Sequence, residues 1–213
     1  IVGGASSDIG AALVRQLAAE GYRVAALARR AEQLAELGST AGPGTVLARV
    51  HDVAEVERVP ALFEELVREL GGLDLFVYAA GIMSEVRRDE YDTAKDLEML
   101  AINFGGCAVW CNAVARLFQT QRSGTLVGIS SVAGERGRHA RRGNRVLAAP
   151  CERALGARAS APRVVVLHEG LVGNRGPHVA ELLRHGVGEG HAGLELGRRR
   201  REVFEGDRRQ QVP

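Results

Sequence analysis

The chain has 213 residues, 46% of them hydrophobic and 25% charged, with a formal net charge of +2. At about 100–200 residues per domain this is one domain with room for an appendage, apolar enough to bury a core and too near neutrality for overall disorder. No apolar run approaches the roughly 18 residues of a membrane span and no signal peptide opens the chain, while its three cysteines make no disulfide framework. Secreted, collagen-like and membrane-spanning classes are thereby excluded as expectations, leaving a cytoplasmic setting with free thiols.

The averages hide a break near residue 138. Residues 1–137 carry 13 Lys+Arg against 18 Asp+Glu, whereas 138–213 carry 15 Arg against 8 Asp+Glu. The second stretch has no Ile, Met, Tyr, Trp or Lys and holds five of the six histidines.

In chain order, Ile1-Val2 reads as the end of an apolar strand that runs into the turn Gly3-Gly4-Ala5-Ser6-Ser7-Asp8-Ile9-Gly10. An amphipathic helix follows from Ala11 to Glu20, with Leu13, Val14 and Leu17 at helical spacing and Gly21 closing it. Arg23 to Ala28 is a second strand, completing a βαβ start. In this setting Gly4 lets the backbone turn tightly and Gly10 lets it approach a pyrophosphate held at the positive end of the helix. A short helix from Arg30 to Leu37 precedes a third strand, Val46 to Val53, ending in His51-Asp52-Val53. Val56 to Leu70 is helical, with Val59, Leu62, Phe63, Leu66 and Val67 on one face. Leu73 to Gly81 is a fourth strand, Asp96 to Thr120 reads as one or two long helices, and Thr125 to Ser131 is a fifth strand. Strands alternating with helices predict an α/β fold, a three-layer, doubly wound parallel sheet of Rossmann type. The Rossmann-type domain is expected over residues 1–175, atypical at 138–162. An irregular Gly/Arg-rich C-terminal segment is expected over 176–213.

These residues resemble the short-chain dehydrogenases/reductases. The family's Thr-Gly-x-x-x-Gly-x-Gly opening is similar to Gly3 through Gly10, its adenine-side acid to Asp52 with Val53, and its Asn-Asn-Ala-Gly strand end to Tyr78-Ala79-Ala80-Gly81. Its helix asparagine matches Asn103 and its catalytic serine Ser131, and its Pro-Gly segment resembles Glu169-Gly170 after the strand begun at Arg163. The resemblance implies an oxidoreductase that reduces a carbonyl or oxidises a secondary alcohol by hydride transfer with a nicotinamide cofactor. It assigns Gly4, Ser6, Asp8, Ile9, Gly10, Arg29, Arg30, Asp52, Val53, Ala80 and Gly81 to the cofactor, and Ser131 and Asn103 to catalysis. In such proteins the serine orients the carbonyl and the asparagine positions a water in a proton relay. Association into a homo-oligomer through the long helices is implied as well.

A fold that prefers NAD places an acid after the second strand, but here the strand ends Leu27-Ala28-Arg29-Arg30. Guanidinium suits a 2′-phosphate, so NADP is expected over NAD, with Arg29 the contact and Arg30 and Ser6 in reach. Asp8 stands where the family has glycine, a position from which it can cap the helix while its charge opposes the phosphates.

The family's tyrosine, which protonates the nascent alkoxide, and the lysine four residues after it belong about a dozen residues beyond Ser131. The last tyrosine here is Tyr91 and the sole lysine Lys95. These two, spaced i, i+4 in a charged run, are read as a solvated helix face. The missing pair admits two accounts of the chain. Either it is a degenerate member, a non-catalytic NADP-binding or interaction module, or the Gly-Arg-Ala-Pro-rich text at 138–162 is an out-of-frame reading of GC-rich DNA. Cys107 and Cys111, one helical turn apart beside Val114, Leu117 and Phe118, read as buried thiols. His178, His185 and His191 fit no ligand spacing, so no metal is expected. Arg198 to Arg201, without interleaved aromatics, is read as a solvated run rather than a nucleic-acid site.

Overall fold

The computed structural model describes residues 1–6, 8–40, 44–85, 87, 89–130 and 164–168, of which 8, 40, 130 and 164–168 are described by their backbone alone. In chain order the elements are β1 (Val2–Gly3), α1 (Asp8–Ala19), β2 (Arg23–Ala28), α2 (Ala31–Thr40), β3 (Thr45–Val50) and α3 (Val59–Leu70). They continue as β4 (Leu75–Tyr78), α4 (Thr93–Met99), a π-helical turn (Leu100–Gly106), α5 (Cys107–Gln121), β5 (Thr125–Ser130) and β6 (Val164–His168). The six strands are all parallel, in the order β3-β2-β1-β4-β5-β6. This is the doubly wound arrangement expected from the alternation of strands and helices.

Each central strand buries both faces, because successive side chains point to opposite sides of a sheet that is covered twice. In β4, Phe76 and Tyr78 join the cluster built with α3 and α5, while Val77 joins the cluster built with α1 and α2. Leu27 and Ala26 of β2 divide the same way. Trp110 anchors the first side, stacked on Phe76 at 5.6 Å between ring centroids and edge-on to Phe63. Leu13, Val14, Leu34 and Leu37 fill the second.

Several boundaries differ from the sequence reading for local reasons. β3 stops at Val50, and after a last bond from the His51 N–H to the Ala28 carbonyl the chain leaves the ladder at Asp52-Val53; the Asp52 carboxylate accepts the Ala54 N–H at 3.0 Å, turning the chain into a 3-10 turn at Val56–Arg58. α3 then starts with Pro60 in its first turn, where a missing N–H does no harm. The helix expected from Asp96 begins at Thr93, because the Asp92 carboxylate accepts the N–H groups of Ala94 and Lys95. Helical backbone then runs unbroken from Thr93 to Gln121, and by length and composition it is apolar enough to cross a membrane. That corrects the expectation that no such run exists. Its Trp110, Cys111, Val114 and Phe118 are packed under the sheet.

Ser131, the atypical stretch 138–162, Glu169, the boundary at 175, the loop histidines and the basic run at 198–201 lie outside the described residues.

Candidate functional site

The strand order reverses between β1 and β4, and a cleft opens there at the carboxyl ends of the strands. Its first wall is the turn after β1. Gly4 has φ +83° and donates, like Ala5, to the Leu27 carbonyl at 2.9 Å. A Cβ on Gly4 would stand 2.5 Å from the Ala80 nitrogen, so only glycine lets this turn pass the end of β4. Gly10 also has a packing reason: a Cβ there would collide with the Gly4 carbonyl oxygen, so its bare Cα seats α1 on the turn. Gly4, Ser6, Arg29, Arg30, Asp52, Val53, Ala80 and Gly81 all line the cleft, whose empty space of about 550 Å³ includes its open mouth. Ile9 does not line it and packs with the α1 cluster instead. The side chain of Asp8 lies outside the described residues.

The two arginines that follow β2 are held differently. Arg30 lays its guanidinium on Ser6, Nε and Nη2 donating to Oγ at 3.2 and 2.9 Å. Arg29 faces Asp52 at 3.7 Å, both partly exposed. Asp52 thus divides its carboxylate between the turn at Ala54 and this loose ion pair.

Three features escaped sequence reasoning. His51 is 1% exposed, and among the described residues neither ring nitrogen has a hydrogen-bond partner; its ring meets Trp110 edge-on at 5.6 Å. Burial, and then the Arg58 charge, push its pKa below the ordinary 6.5, against a smaller opposing pull from Glu55 and Asp52. Its only sequence signal was a histidine at the end of a strand. The second is the commitment of Asn103: Oδ1 accepts the Ile82 N–H and Nδ2 donates to the Ile82 carbonyl, both at 2.8 Å. Both ends of the amide therefore grip the main chain after β4, and the side chain is a brace. The third is Tyr78, buried in β4, whose hydroxyl donates to the Ile102 carbonyl at 2.5 Å.

Tyr91 and Lys95 do not share a helix face, contrary to expectation. Tyr91 precedes the Asp92 cap and is 81% exposed, while the Lys95 ammonium donates to Glu90 at 2.6 Å and to the Glu85 carbonyl at 3.1 Å. Those contacts raise the Lys95 pKa above its usual value. The thiols of Cys107 and Cys111 are buried 3.7 Å apart, as the helical spacing implied. Among the described residues no group of three or more His, Cys, Asp or Glu side chains gathers to hold a metal.

The family model described as short chain dehydrogenase matches residues 1–142. The chain belongs to the short chain dehydrogenase family. An uncharacterised oxidoreductase of Mycobacterium tuberculosis is 35% identical over 141 residues, covering 64% of this chain and 56% of that protein. The 3-oxoacyl-[acyl-carrier-protein] reductase of Bos taurus is also 35% identical, over 134 residues, covering 63% and 56%. The chain thus spans about half the length of the curated relatives it matches. Among solved structures, a metagenomic short-chain oxidoreductase in complex with NADP superposes with a TM-score of 0.77 at 22% identity, over 86% of this chain and 88% of that one. An NAD+-bound xylitol dehydrogenase superposes with 0.71 at 25% identity, over 78% and 67%. The family match stops close to residue 138, where the composition changes.

Proposed function

We propose that the cleft binds NADP(H) and serves hydride transfer between its nicotinamide and a carbonyl or secondary-alcohol substrate. The observation that carries the cofactor choice is the pair of guanidiniums after β2, Arg30 bonded to the Ser6 hydroxyl, where an NAD-preferring site has an acid. The residues present fit a dinucleotide: Gly4 leaves no room for a Cβ beside Ala80, and α1 starts directly behind the turn. The turn from Gly4 to Ser6 and the N-terminal end of α1 would hold the diphosphate. Asp52 and Val53 would hold the adenine side, with Ala80 and Gly81 beneath the second ribose. When bound, the dihydronicotinamide supplies the hydride. Of the protein groups, Ser131 would hold the carbonyl oxygen, and Asn103 would brace the main chain beside it.

A second reading is favoured by one observation. The last tyrosine is Tyr91, set in an exposed turn, and the sole lysine is tied to Glu90. Neither supplies the proton that an alkoxide needs. On that reading the chain is a non-catalytic NADP-binding module.

Fluorescence titration with NADPH and NADH tests the cofactor choice. NADPH is expected to bind at least about tenfold tighter, the worth of one charge-assisted contact, and Arg30→Ala to erase most of that preference. Equal affinities for the two dinucleotides would overturn it.

A further inference from the structure

We propose that Tyr78 is a positioning residue for the half of the cleft remote from Arg29 and Arg30, acting through the π-helical turn; this rests on the dinucleotide reading above. A π turn carries one residue more than an α turn and is rare inside a helix, so contacts from outside that brace it are informative. Here the Cys107 N–H is bonded to the Phe104 carbonyl, and the Ile102 carbonyl accepts the Tyr78 hydroxyl at 2.5 Å in a site where Tyr78 is 1% exposed. Gly106 closes the same junction: a Cβ there would come 2.7 Å from the Tyr78 hydroxyl and 2.6 Å from the Val53 carbonyl oxygen. The turn is therefore pressed against the end of β4 and against the chain leaving β3.

Asn103 is the next residue after the carbonyl that Tyr78 holds. Its amide brackets both polar atoms of the Ile82 main chain, and a Cβ on Gly81 would lie 3.6 Å from its Oδ1. Ile82, Gly81 and Ile102 all line the cleft. The hydroxyl, the Ile102 carbonyl, Asn103 and Ile82 thus form one mechanical chain from the core to the cleft wall. If the turn closed into regular α-helix, residues on its two sides would rotate relative to each other by about 100°, the angle of one helical residue. That rotation would take Asn103 off Ile82. The wall at Arg29 and Arg30 hangs on the end of β2 and would not feel it.

The test compares two ligands on the full chain carrying Tyr78→Phe: NADPH, which needs the whole cleft, and 2′,5′-ADP, which needs only the arginine half. NADPH affinity is expected to fall about tenfold, the order of one lost buried hydrogen bond, with 2′,5′-ADP affinity unchanged within about twofold. A parallel fall in both, or no change in either, overturns the proposal, since a merely structural role cannot split the ligands. Amide hydrogen exchange without nucleotide reads the clamp independently of the cofactor reading. Exchange across 102–106 and at Ile82 is expected to speed up, and unchanged exchange overturns the proposal even if the chain binds neither ligand. Should Tyr78→Phe not fold, Asn103→Ala must give the same split between the ligands, and the proposal fails if it does not.

Discussion

Arg29 and Arg30 are adjacent in sequence, yet they stand on different footing because their neighbours come from different turns. Arg29 is half-exposed and loosely paired with Asp52 at 3.7 Å, a surface contact worth about 0–1 kcal/mol. Arg30 is oriented by two hydrogen bonds to one hydroxyl, which pre-organises a planar donor fork at the mouth of the cleft. Arg30→Ala is therefore expected to weaken NADPH binding more than Arg29→Ala, a reversal of the rank that the strand end alone implied; calorimetric titration of both variants decides it. His51 makes a prediction about pH. Its folded pKa lies below the 6.5 of the free side chain, so in the window beneath 6.5 the unfolded chain binds more protons than the folded one. Its contribution is then complete above about pH 6.5 and is lost as pH falls through that window. The charged groups acting on the ring are Arg58, which adds to the penalty, and Glu55 and Asp52, which relieve it. Urea midpoints from pH 5 to 7.5, followed for wild type and His51→Phe, should show a shallower acid slope in the variant; parallel slopes would exclude His51 as the titrating group. No residue type at position 51 could reveal this from sequence, since an imidazole at a strand end is as often exposed as buried.

Between residues, the elements are held by their ends. The guanidinium of Arg23, at the start of β2, donates to the Leu70 and Glu69 carbonyls and so satisfies the frayed end of α3 across the sheet edge. Arg49 of β3, the outermost strand at one side of the described sheet, reaches Glu69 and Glu65 of the same helix, contacts that raise its pKa and tie that strand to α3. α5 ends less comfortably. Arg122 caps it with φ +56°, a left-handed conformation that disfavours any residue with a Cβ. Arg122→Gly should stabilise the chain by about 1 kcal/mol, less a few tenths for the looser unfolded chain. A thermal melt checks it, and an unchanged or lower Tm would mean that the arginine's own contacts outweigh the strain. Helix extents were largely legible from apolar spacing. The π turn was not, because nothing in Leu100 to Gly106 announces it; the turn is held from outside, by Tyr78 and Val53, which lie 24 and 53 positions from Ile102 and Gly106, the residues they meet.

For the whole molecule, the two proposed readings differ in whether nucleotide binding would lead to turnover. On the hydride-transfer reading the chain is expected to bind NADPH and to reduce members of a broad carbonyl panel; binding without any reduction would favour the non-catalytic module, since no tyrosine follows Tyr91 and no second lysine exists. Turnover abolished by Ser131→Ala would bear out the hydride-transfer reading. A mass-spectrometric peptide map across 132–175 would then be expected to carry a tyrosine and a lysine four apart, in place of Asn144, Ala148 and Cys151. Much of the architecture was open to reading in advance: alternating apolar runs, the glycine turn at Gly3 to Gly10 and the strand end at Tyr78 to Gly81 determined a doubly wound sheet with its cleft at the reversal of strand order. Those are short-range signals, since periodicity and turn chemistry act over a few residues. Which guanidinium is pre-organised, which imidazole is buried and which hydroxyl holds the turn beside Asn103 were decided only by tertiary structure. Each depends on side chains from separate strands and helices meeting after the sheet has assembled as β3-β2-β1-β4-β5-β6, and no local pattern records which neighbour a side chain will find there.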